Sequence, residues 1–459
     1  MRKLTYLLVG SVFLGAQILA IDVGIAKLSM YRLILLLMTS LIVIMIFKND
    51  SRLNFTSNLM SKNYTRFYFF WLLYALISVI WIKDITAWVN AIFFLGSGCL
   101  SMYYMGIFIR TEKDMNRIFQ TIAVMITMHN FIGWAEIITG KYLFANLDKL
   151  DRYNTFSSQP NTRIPISIYA NQNDFATMLL AGITVIYILY ITSKKYSFKF
   201  LYLMIIFSSI FLLYKTDSRA NLLGLILGII VLLFLKYFSL FNVRTFIKLL
   251  TIGMITFILA YLFSPFLQDK VTSIMVNLQT SVFVEGNSNM TRVNLIRNGF
   301  YFLVKSFGFG TGAGNVEYWM QHYPSFATGT IYNIHNWWME ILTGYGVVVF
   351  ILYMFVYVLM LRQLYVNYKF ADNQFISKTS AVFLAYMFSF FMSSISSASN
   401  ILIEWQWVFW GVIVTFIRFS EGTSMKEMYA TRSILKSDIE LKIKDKFYKG
   451  GRKWKFKRL

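Results

Sequence analysis

The residues best suited to chemistry gather in one polar segment, 286–340. Two of the three histidines, His322 and His335, lie there with Arg292 and Arg297. A histidine with a pKa near 6.5 accepts a proton at neutral pH, and nearby arginines lower that pKa and keep the ring neutral. Arginines also bind phosphate groups through paired hydrogen bonds. The segment therefore predicts a proton acceptor beside a bound phosphate or diphosphate.

Arg219 and His335 each have an alternative interpretation. An arginine at the end of a membrane span also extends to lipid head groups. A histidine followed by Trp337 and Trp338 also fits an aromatic belt at the membrane interface. We favour a functional role for Arg219 because it lies on the predicted outer face, where the positive-inside rule predicts few basic residues. We favour one for His335 because its ring can accept a proton at neutral pH.

Four glycines at alternate positions form the sequence FGFGTGAG, from Phe307 to Gly314. No Gly-Lys-Ser/Thr follows them, and no strand, turn and helix surround them, so a nucleotide-binding loop is disfavoured. We predict a tight re-entrant turn that brings the backbone close to a ligand.

Neither a metal nor another cofactor is predicted. The acidic residues outside the spans are scattered, without paired carboxylate spacing or a histidine pair at i, i+4. These residues are Asp148, Asp151, Asp174, Asp217, Asp269, Glu285 and Glu317. The single cysteine, Cys99, excludes a disulfide framework and a cysteine metal site.

The composition is that of a multi-pass membrane protein. Of the 459 residues, 57% are hydrophobic and 14% are charged, against about 25% charged in a typical soluble domain. The net charge of +23 is spread over the loops and a basic tail, which fits anionic lipid head groups rather than nucleic acid.

Apolar runs long enough to cross a bilayer recur along the whole chain. They predict twelve transmembrane helices in an all-α fold. The predicted spans are 5–24, 29–47, 67–82, 86–109, 117–138, 174–192, 199–214, 219–240, 247–266, 335–361, 377–396 and 401–418.

Basic residues concentrate in alternate short loops, which predicts that both termini are cytoplasmic. The predicted organisation has six parts: N-terminal helices (1–138), a first extracytoplasmic loop (139–173), central helices (174–266), a large extracytoplasmic loop (267–334), C-terminal helices (335–418) and a basic cytoplasmic tail (419–459).

Three helices are predicted to begin on the outer side, at 171–174, 216–219 and 333–336. Each start contains residue types that cap helices. Their unpaired N–H groups and partial positive charge therefore face one surface. With Arg219 and the loop arginines, that surface is suited to a phosphate or diphosphate.

Four stretches in this order resemble the O-antigen ligase and polymerase superfamily of bacterial membrane glycosyltransferases. They are RIPISIYANQNDFATMLLAG from Arg163, YKTDSRANLLGLILG around Arg219, TRVNLIRN with GFGTGAGN in the large loop, and HNWWMEILTGYG from His335. The family often has proline between the asparagines before the sixth span, whereas this chain has Gln172.

The resemblance implies a GT-C-like helical fold and metal-independent transfer of a glycan from undecaprenyl diphosphate in the cell membrane of a bacterium. It implies that Arg219 and Arg292 hold the diphosphate and that His335 activates the acceptor hydroxyl. The remaining predicted substrate-binding residues are Arg163, Arg297, Asn336 and Asn173. Expected partners are the carrier-linked donor, a glycan acceptor, membrane lipids, and flippase and chain-length regulator proteins.

Several functions stay open. We favour a polymerase for capsule, exopolysaccharide or O-antigen synthesis over a ligase that passes the finished glycan to a lipid or wall acceptor. A flippase would need charges deep in several spans, and the span middles are nearly free of charge. Glu136, Glu340 and Glu404 are the exceptions, with structural or sugar-binding roles that sequence does not separate. A scaffold without chemistry would leave Arg219 and His335 replaceable.

Overall fold

The computed structural model is almost entirely helical. It describes residues 1–18, 20–22, 27–48, 61–144, 163–237, 268, 288–395 and 400–423. Fourteen α-helices lie in these ranges. They are α1 (Arg2–Ser11), α2 (Gly15–Ile18), α3 (Met30–Phe47), α4 (Ser61–Ile77), α5 (Ile85–Phe108), α6 (Glu112–Thr139), α7 (Gln172–Thr192), α8 (Tyr196–Lys215), α9 (Arg219–Tyr237), α10 (Ser288–Lys305), α11 (Val316–His322), α12 (Trp337–Phe370), α13 (Gln374–Ser393) and α14 (404–423).

Eight of these helices, among the residues described, are long and apolar enough to cross a membrane: α3, α5, α6, α7, α8, α9, α12 and α13. Many of their large apolar side chains are exposed, as expected for helices surrounded by lipid. The predicted all-α polytopic fold class is confirmed, and the chain is a multi-pass membrane protein.

The remaining predicted spans have different outcomes. The 17-residue helix α4 and a 3-10 turn occupy the predicted span 67–82. Helix α14 occupies the predicted span 401–418. The predicted span 247–266 lies outside the described residues, as does the chain beyond residue 423.

The predicted first span, 5–24, is wrong. Helix α1 and a 3-10 turn end at Gly15, whose φ of +59° lies outside the helical region. After the short α2, strand β1 (Ala20–Asp22) pairs antiparallel with β2 (Lys27–Ser29). Apolar content alone predicted a continuous helix here, but the backbone turns at the glycine.

An aromatic cluster forms much of the core. Trp71 of α4, Trp337 of α12 and Trp407 of α14 are fully buried, with ring centroids within 6.5 Å of one another. The Trp337 indole N–H also donates to the Tyr353 hydroxyl at 2.8 Å. The first turn of α12 is thereby fixed in the protein interior.

Two of the three acidic residues singled out within the predicted spans stabilise the fold. The Glu404 carboxylate lies 2.7 Å from the Arg32 guanidinium and joins α14 to α3. Glu136 Oε2 accepts hydrogen bonds from the Ile166 and Ser167 N–H groups at 2.9 Å, which ties the segment before α7 to α6. These contacts assign structural roles to Glu136 and Glu404.

Candidate active site

The starts of α7 and α9 lie side by side. Asn171 caps α7, because its side-chain oxygen accepts from the Asp174 N–H at 2.9 Å. The Ser218 hydroxyl, directly before α9, donates to Asn173 Oδ1 at 2.7 Å. The Asn173 side chain therefore connects two helix starts, and its role toward substrate stays a prediction.

The start of α12 lies on the same face of the protein. The Trp337 N–H donates to the Ser394 carbonyl at 2.9 Å, just beyond the end of α13. Near that end, α9 packs closely against α13, since a Cβ added at Gly224 of α9 would lie 2.8 Å from the Ser389 carbonyl oxygen. Asp174 and Glu340 are close enough to interact electrostatically. These contacts place the three helix starts near one another, and the prediction that they face the outer side of the membrane stays a prediction.

Arg219 is the first residue of α9, and its side chain is exposed. No hydrogen bond or ion pair to its guanidinium exists within the ranges that the structure describes. The residue before Ser218, Asp217, has a φ of +52°, so the chain turns sharply into the helix. The guanidinium is therefore available to an anion at the N-terminus of α9.

His335 lies in a turn before α12 and is half-buried. Its φ is +53°, and its N–H donates to Asn333 Oδ1 at 2.8 Å. No described group hydrogen bonds to its imidazole. Burial, and then the positive charge of Arg292 on α10, lower the pKa of His335 to about 4. The structure thus brings together His335 and Arg292, and the ring is neutral at physiological pH.

Asn336 caps α12. Its side-chain oxygen accepts from the N–H groups of Trp338 and Met339, each at 3.1 Å. Trp337 and Trp338 are buried in the core, so they do not form the aromatic belt that the alternative interpretation of His335 required. His322 is exposed, and its ring stacks on that of Tyr318 with 4.1 Å between the ring centroids.

Arg163 has a contact that sequence analysis missed. Its guanidinium donates to the carbonyls of Ile137 and Ile138 at 3.1 and 2.8 Å, near the end of α6. Basic side chains commonly satisfy such terminal carbonyls. A phosphate at Arg163 would compete with these bonds, which supports a structural role beside the predicted binding role.

Arg297 is exposed on α10, one and a half turns beyond Arg292, and its guanidinium lies 5.6 Å from the centre of the Phe326 ring. The next residue, Asn298, ties α10 to the loop after α11, since its Oδ1 accepts from the Ser325 and Phe326 N–H groups at 2.9 Å. This anchoring fixes the helix that carries both arginines.

Two comparisons relate this chain to known proteins. A protein-family model described as O-Antigen ligase (Wzy_C) matches residues 203–354. The teichuronic acid biosynthesis protein TuaE of Bacillus subtilis (strain 168) is 29% identical over 423 residues, which are 90% of this chain and 83% of TuaE.

Both similarities support the resemblance to the O-antigen ligase/polymerase superfamily. They support a role in polysaccharide biosynthesis and suggest a glycosyltransferase-like membrane enzyme. The matched region contains Arg219, Arg292, Arg297, His335 and Asn336, whereas Arg163 and Asn173 precede it.

The glycine run is a packing element. The Thr311 and Gly312 N–H groups donate to the Thr343 and Gly344 carbonyls of α12 at 2.8 and 3.0 Å, and Val347 N–H donates to Gly308 O at 2.9 Å. Helix α12 loses its helical conformation at Gly346, where φ is +81°. The glycines thus bring backbone close to backbone, and the predicted approach of this turn to a ligand stays a prediction.

Sequence reasoning did not find a cavity of about 340 Å³ beside the α12 start. Its polar lining includes Glu317, Asn333, Glu340, Asn90 and Gln321. These residues come from distant parts of the chain, so spacing could not group them. Their only sequence signal was an acidic residue, Glu340, in the first turn of a span.

Among the described residues, no group of three or more His, Cys, Asp or Glu side chains could hold a metal ion. Metal-independent chemistry stays a prediction.

Proposed function

We propose that this protein is a polysaccharide polymerase that joins oligosaccharide repeat units carried on undecaprenyl diphosphate. The observation that carries the proposal is His335, a neutral imidazole without a described hydrogen-bond partner, held beside Arg292 at a face that carries three helix starts. The relation to TuaE, a protein named for teichuronic acid biosynthesis, supports a cell-envelope polymer as the product.

The proposed reaction is a displacement at the anomeric carbon of the donor glycan. The acceptor hydroxyl oxygen forms the new C–O bond while its proton moves to a ring nitrogen of His335. The bond between the anomeric carbon and the diphosphate oxygen breaks, and its electron pair leaves with undecaprenyl diphosphate. Arg219 and Arg292 neutralise the charge on that leaving group, a task that fixed cations perform without a metal.

The proposed setting is the outer face of the bacterial cytoplasmic membrane, with both termini in the cytoplasm. In this arrangement the loop 139–173 and the loop 267–334 are extracytoplasmic, and the helices of 1–138, 174–266 and 335–418 form the membrane domain. The basic tail 419–459 then faces the anionic lipids of the inner leaflet.

A ligase is the second candidate, because the same donor site serves a different acceptor. The superfamily includes both activities, and the described contacts around His335 suit any acceptor hydroxyl. A flippase is less well supported, because Glu136 and Glu404, two of the charges within spans, are engaged in structural contacts.

The test is an assay of purified protein with carrier-linked repeat units in the presence of EDTA. A polymerase produces a ladder of longer products that remain attached to the carrier. A ligase produces no ladder until a lipid or wall acceptor is added, and the glycan then leaves the carrier. Protein that forms no glycosidic bond under either condition contradicts the proposal.

A further inference from the structure

The cavity beside the start of α12 lies between three parts of the chain. Asn90 and Asp84 line it from α5 and the residue before it, Glu317 and Gln321 line it from α11, and Glu340 lines it from α12. Tyr318, Tyr332 and Tyr345 add aromatic surface. A mostly apolar and aromatic lining with a few polar groups is typical of small-molecule sites, and about 340 Å³ is near the lower end of their range.

Glu340 is the strongest indication of a ligand. Its side chain is 8% exposed, and its Oε2 atom is buried without a hydrogen-bond partner. Its described neighbours are the Asn333 side chain and the Ile401 backbone. A buried carboxyl oxygen without a hydrogen-bond partner is costly, so a ligand with hydroxyl groups, which both donate and accept, would satisfy it.

The other polar groups of the cavity also suit hydroxyl groups. Glu317 accepts from the Asn333 amide at 2.8 Å, so its carboxylate lies at the cavity wall beside Asn333. Asn90 and Gln321 are exposed, and no described residue hydrogen bonds to their amides. Carboxylate and amide groups arranged around tyrosine rings form hydrogen bonds to sugar hydroxyls and pack against the apolar sugar face.

Asn333 connects this cavity to His335. Its amide nitrogen donates to Glu317, and its oxygen accepts from the His335 N–H at 2.8 Å. Ile334, the residue between them, also lines the cavity. His335 therefore lies between a cationic sector, with Arg292, and an acidic sector, with Glu317 and Glu340.

We propose that this cavity, defined by Glu317, Glu340, Asn333, Asn90 and Gln321, binds the terminal sugar of the acceptor glycan. The inference rests on the proposed function and specifies where the second substrate binds. The exposed Glu317 carboxylate repels a diphosphate, so the donor group occupies the arginine side of His335 and the acceptor occupies the acidic side. The same repulsion selects an uncharged or amino sugar over a uronic acid at the acceptor terminus.

The experiment uses the repeat-unit oligosaccharide released from its carrier, because it has the acceptor hydroxyls but no diphosphate. Its affinity for the purified full-length protein is measured by calorimetry, and its KM and kcat are measured with a fixed carrier-linked donor. The variants are Glu340→Gln and Asn90→Ala, and the control is Glu112→Gln, an exposed residue at the start of α6.

Glu340→Gln should weaken oligosaccharide binding and raise the acceptor KM roughly 10–100-fold, as expected when a buried hydrogen-bonding group is left unsatisfied. Asn90→Ala, an exposed position that leaves folding intact, should weaken binding about fivefold. The donor KM and the kcat should change little, and Glu112→Gln should match the wild type. An oligosaccharide that ends in a uronic acid should bind more weakly than an uncharged one.

Two results would overturn the inference. In the first, both variants bind the oligosaccharide as the wild type does. In the second, Ca²⁺ alone raises the thermal midpoint of the wild type but not of Glu340→Gln, which would make this a cation site. Binding by calorimetry does not depend on transfer. Wild-type protein that binds the oligosaccharide at Glu340 but forms no glycosidic bond would count against the proposed reaction and leave the sugar site in place.

Discussion

His335 has a backbone conformation that few non-glycine residues adopt. Its φ of +53° is stabilised by the hydrogen bond from its N–H to Asn333, and the following residue, Asn336, caps α12. Strained residues of this kind are concentrated at functional sites. The turn fixes the imidazole next to Arg292 while the helix behind it is anchored in the core by Trp337.

Arg219 and Arg163 should respond in opposite ways to substitution. Arg219→Gln should lower turnover roughly 10²–10³-fold, as expected when a group that stabilises the leaving charge is removed. The thermal midpoint of Arg219→Gln should not change, because no described residue contacts the guanidinium.

Arg163→Gln should lower the thermal midpoint, because it removes two hydrogen bonds to the end of α6. Turnover and thermal unfolding of purified protein check both, and full turnover in Arg219→Gln would refute its role.

The pH dependence of kcat/KM reports the pKa of the free-enzyme base. A pKa of about 4 for His335 keeps the ring unprotonated, so kcat/KM should stay constant from neutral pH to about pH 5 and fall below pH 4. In Arg292→Gln a positive charge that lowers this pKa is lost while burial remains, so the acidic fall should move to higher pH. A wild-type fall centred at pH 6.5, or no movement in the variant, would contradict the assignment.

At the scale of elements, the glycine loop and the kink of α12 form one unit. Gly310 and Gly346 have φ near +80°, and a Cβ added at Gly310 would lie 2.6 Å from Gly346 N. Gly310→Ala should therefore destabilise the protein by about 1–3 kcal/mol or more, measured as a lower thermal midpoint. Gly329→Ala is the matched control, since Gly329 has a φ of +61° but open space around it. Equal effects would show that φ alone, and not the close packing, matters.

Helix starts were predictable from sequence because capping is local. Asn171 and Asn336 precede their helices and bond to them within three residues, so residue type and position were sufficient. The hairpin at Ala20–Asp22 was not predictable from apolar content, because Gly15 sets the turn by its backbone conformation. The contact between the glycine run and Gly346 depends on packing between segments more than 30 residues apart.

The site was partly predictable for the same reason. His335 and Arg292 were grouped by their shared polar segment, and the structure places them together. The role of Arg163 at the end of α6 and the cavity around Glu340 depend on tertiary contacts that no single stretch of sequence contains. An acidic residue within a predicted span singled out Glu340 in the sequence. Its position in a cavity, in contrast to the structural contacts of Glu136 and Glu404, depends on packing.

At the scale of the whole molecule, the proposed orientation can be measured directly. Cys99 is the only cysteine and is buried, so Cys99→Ala provides a background for single cysteines. Thr330→Cys and Asp372→Cys are at exposed positions before and after α12. A membrane-impermeant maleimide should label residue 330 but not residue 372 in intact cells. The reverse pattern would place the candidate site in the cytoplasm and refute the proposed topology.

In the proposed reaction, His335 takes the proton of the acceptor hydroxyl between two substrate sites. Donor affinity and single-turnover transfer, measured on the same His335→Asn preparation, test this most directly, because asparagine tolerates the positive φ but is not a base. Transfer should slow roughly 10²–10⁴-fold while donor affinity is retained, and His322→Asn should behave as the wild type. Transfer at the wild-type rate in His335→Asn would contradict the account.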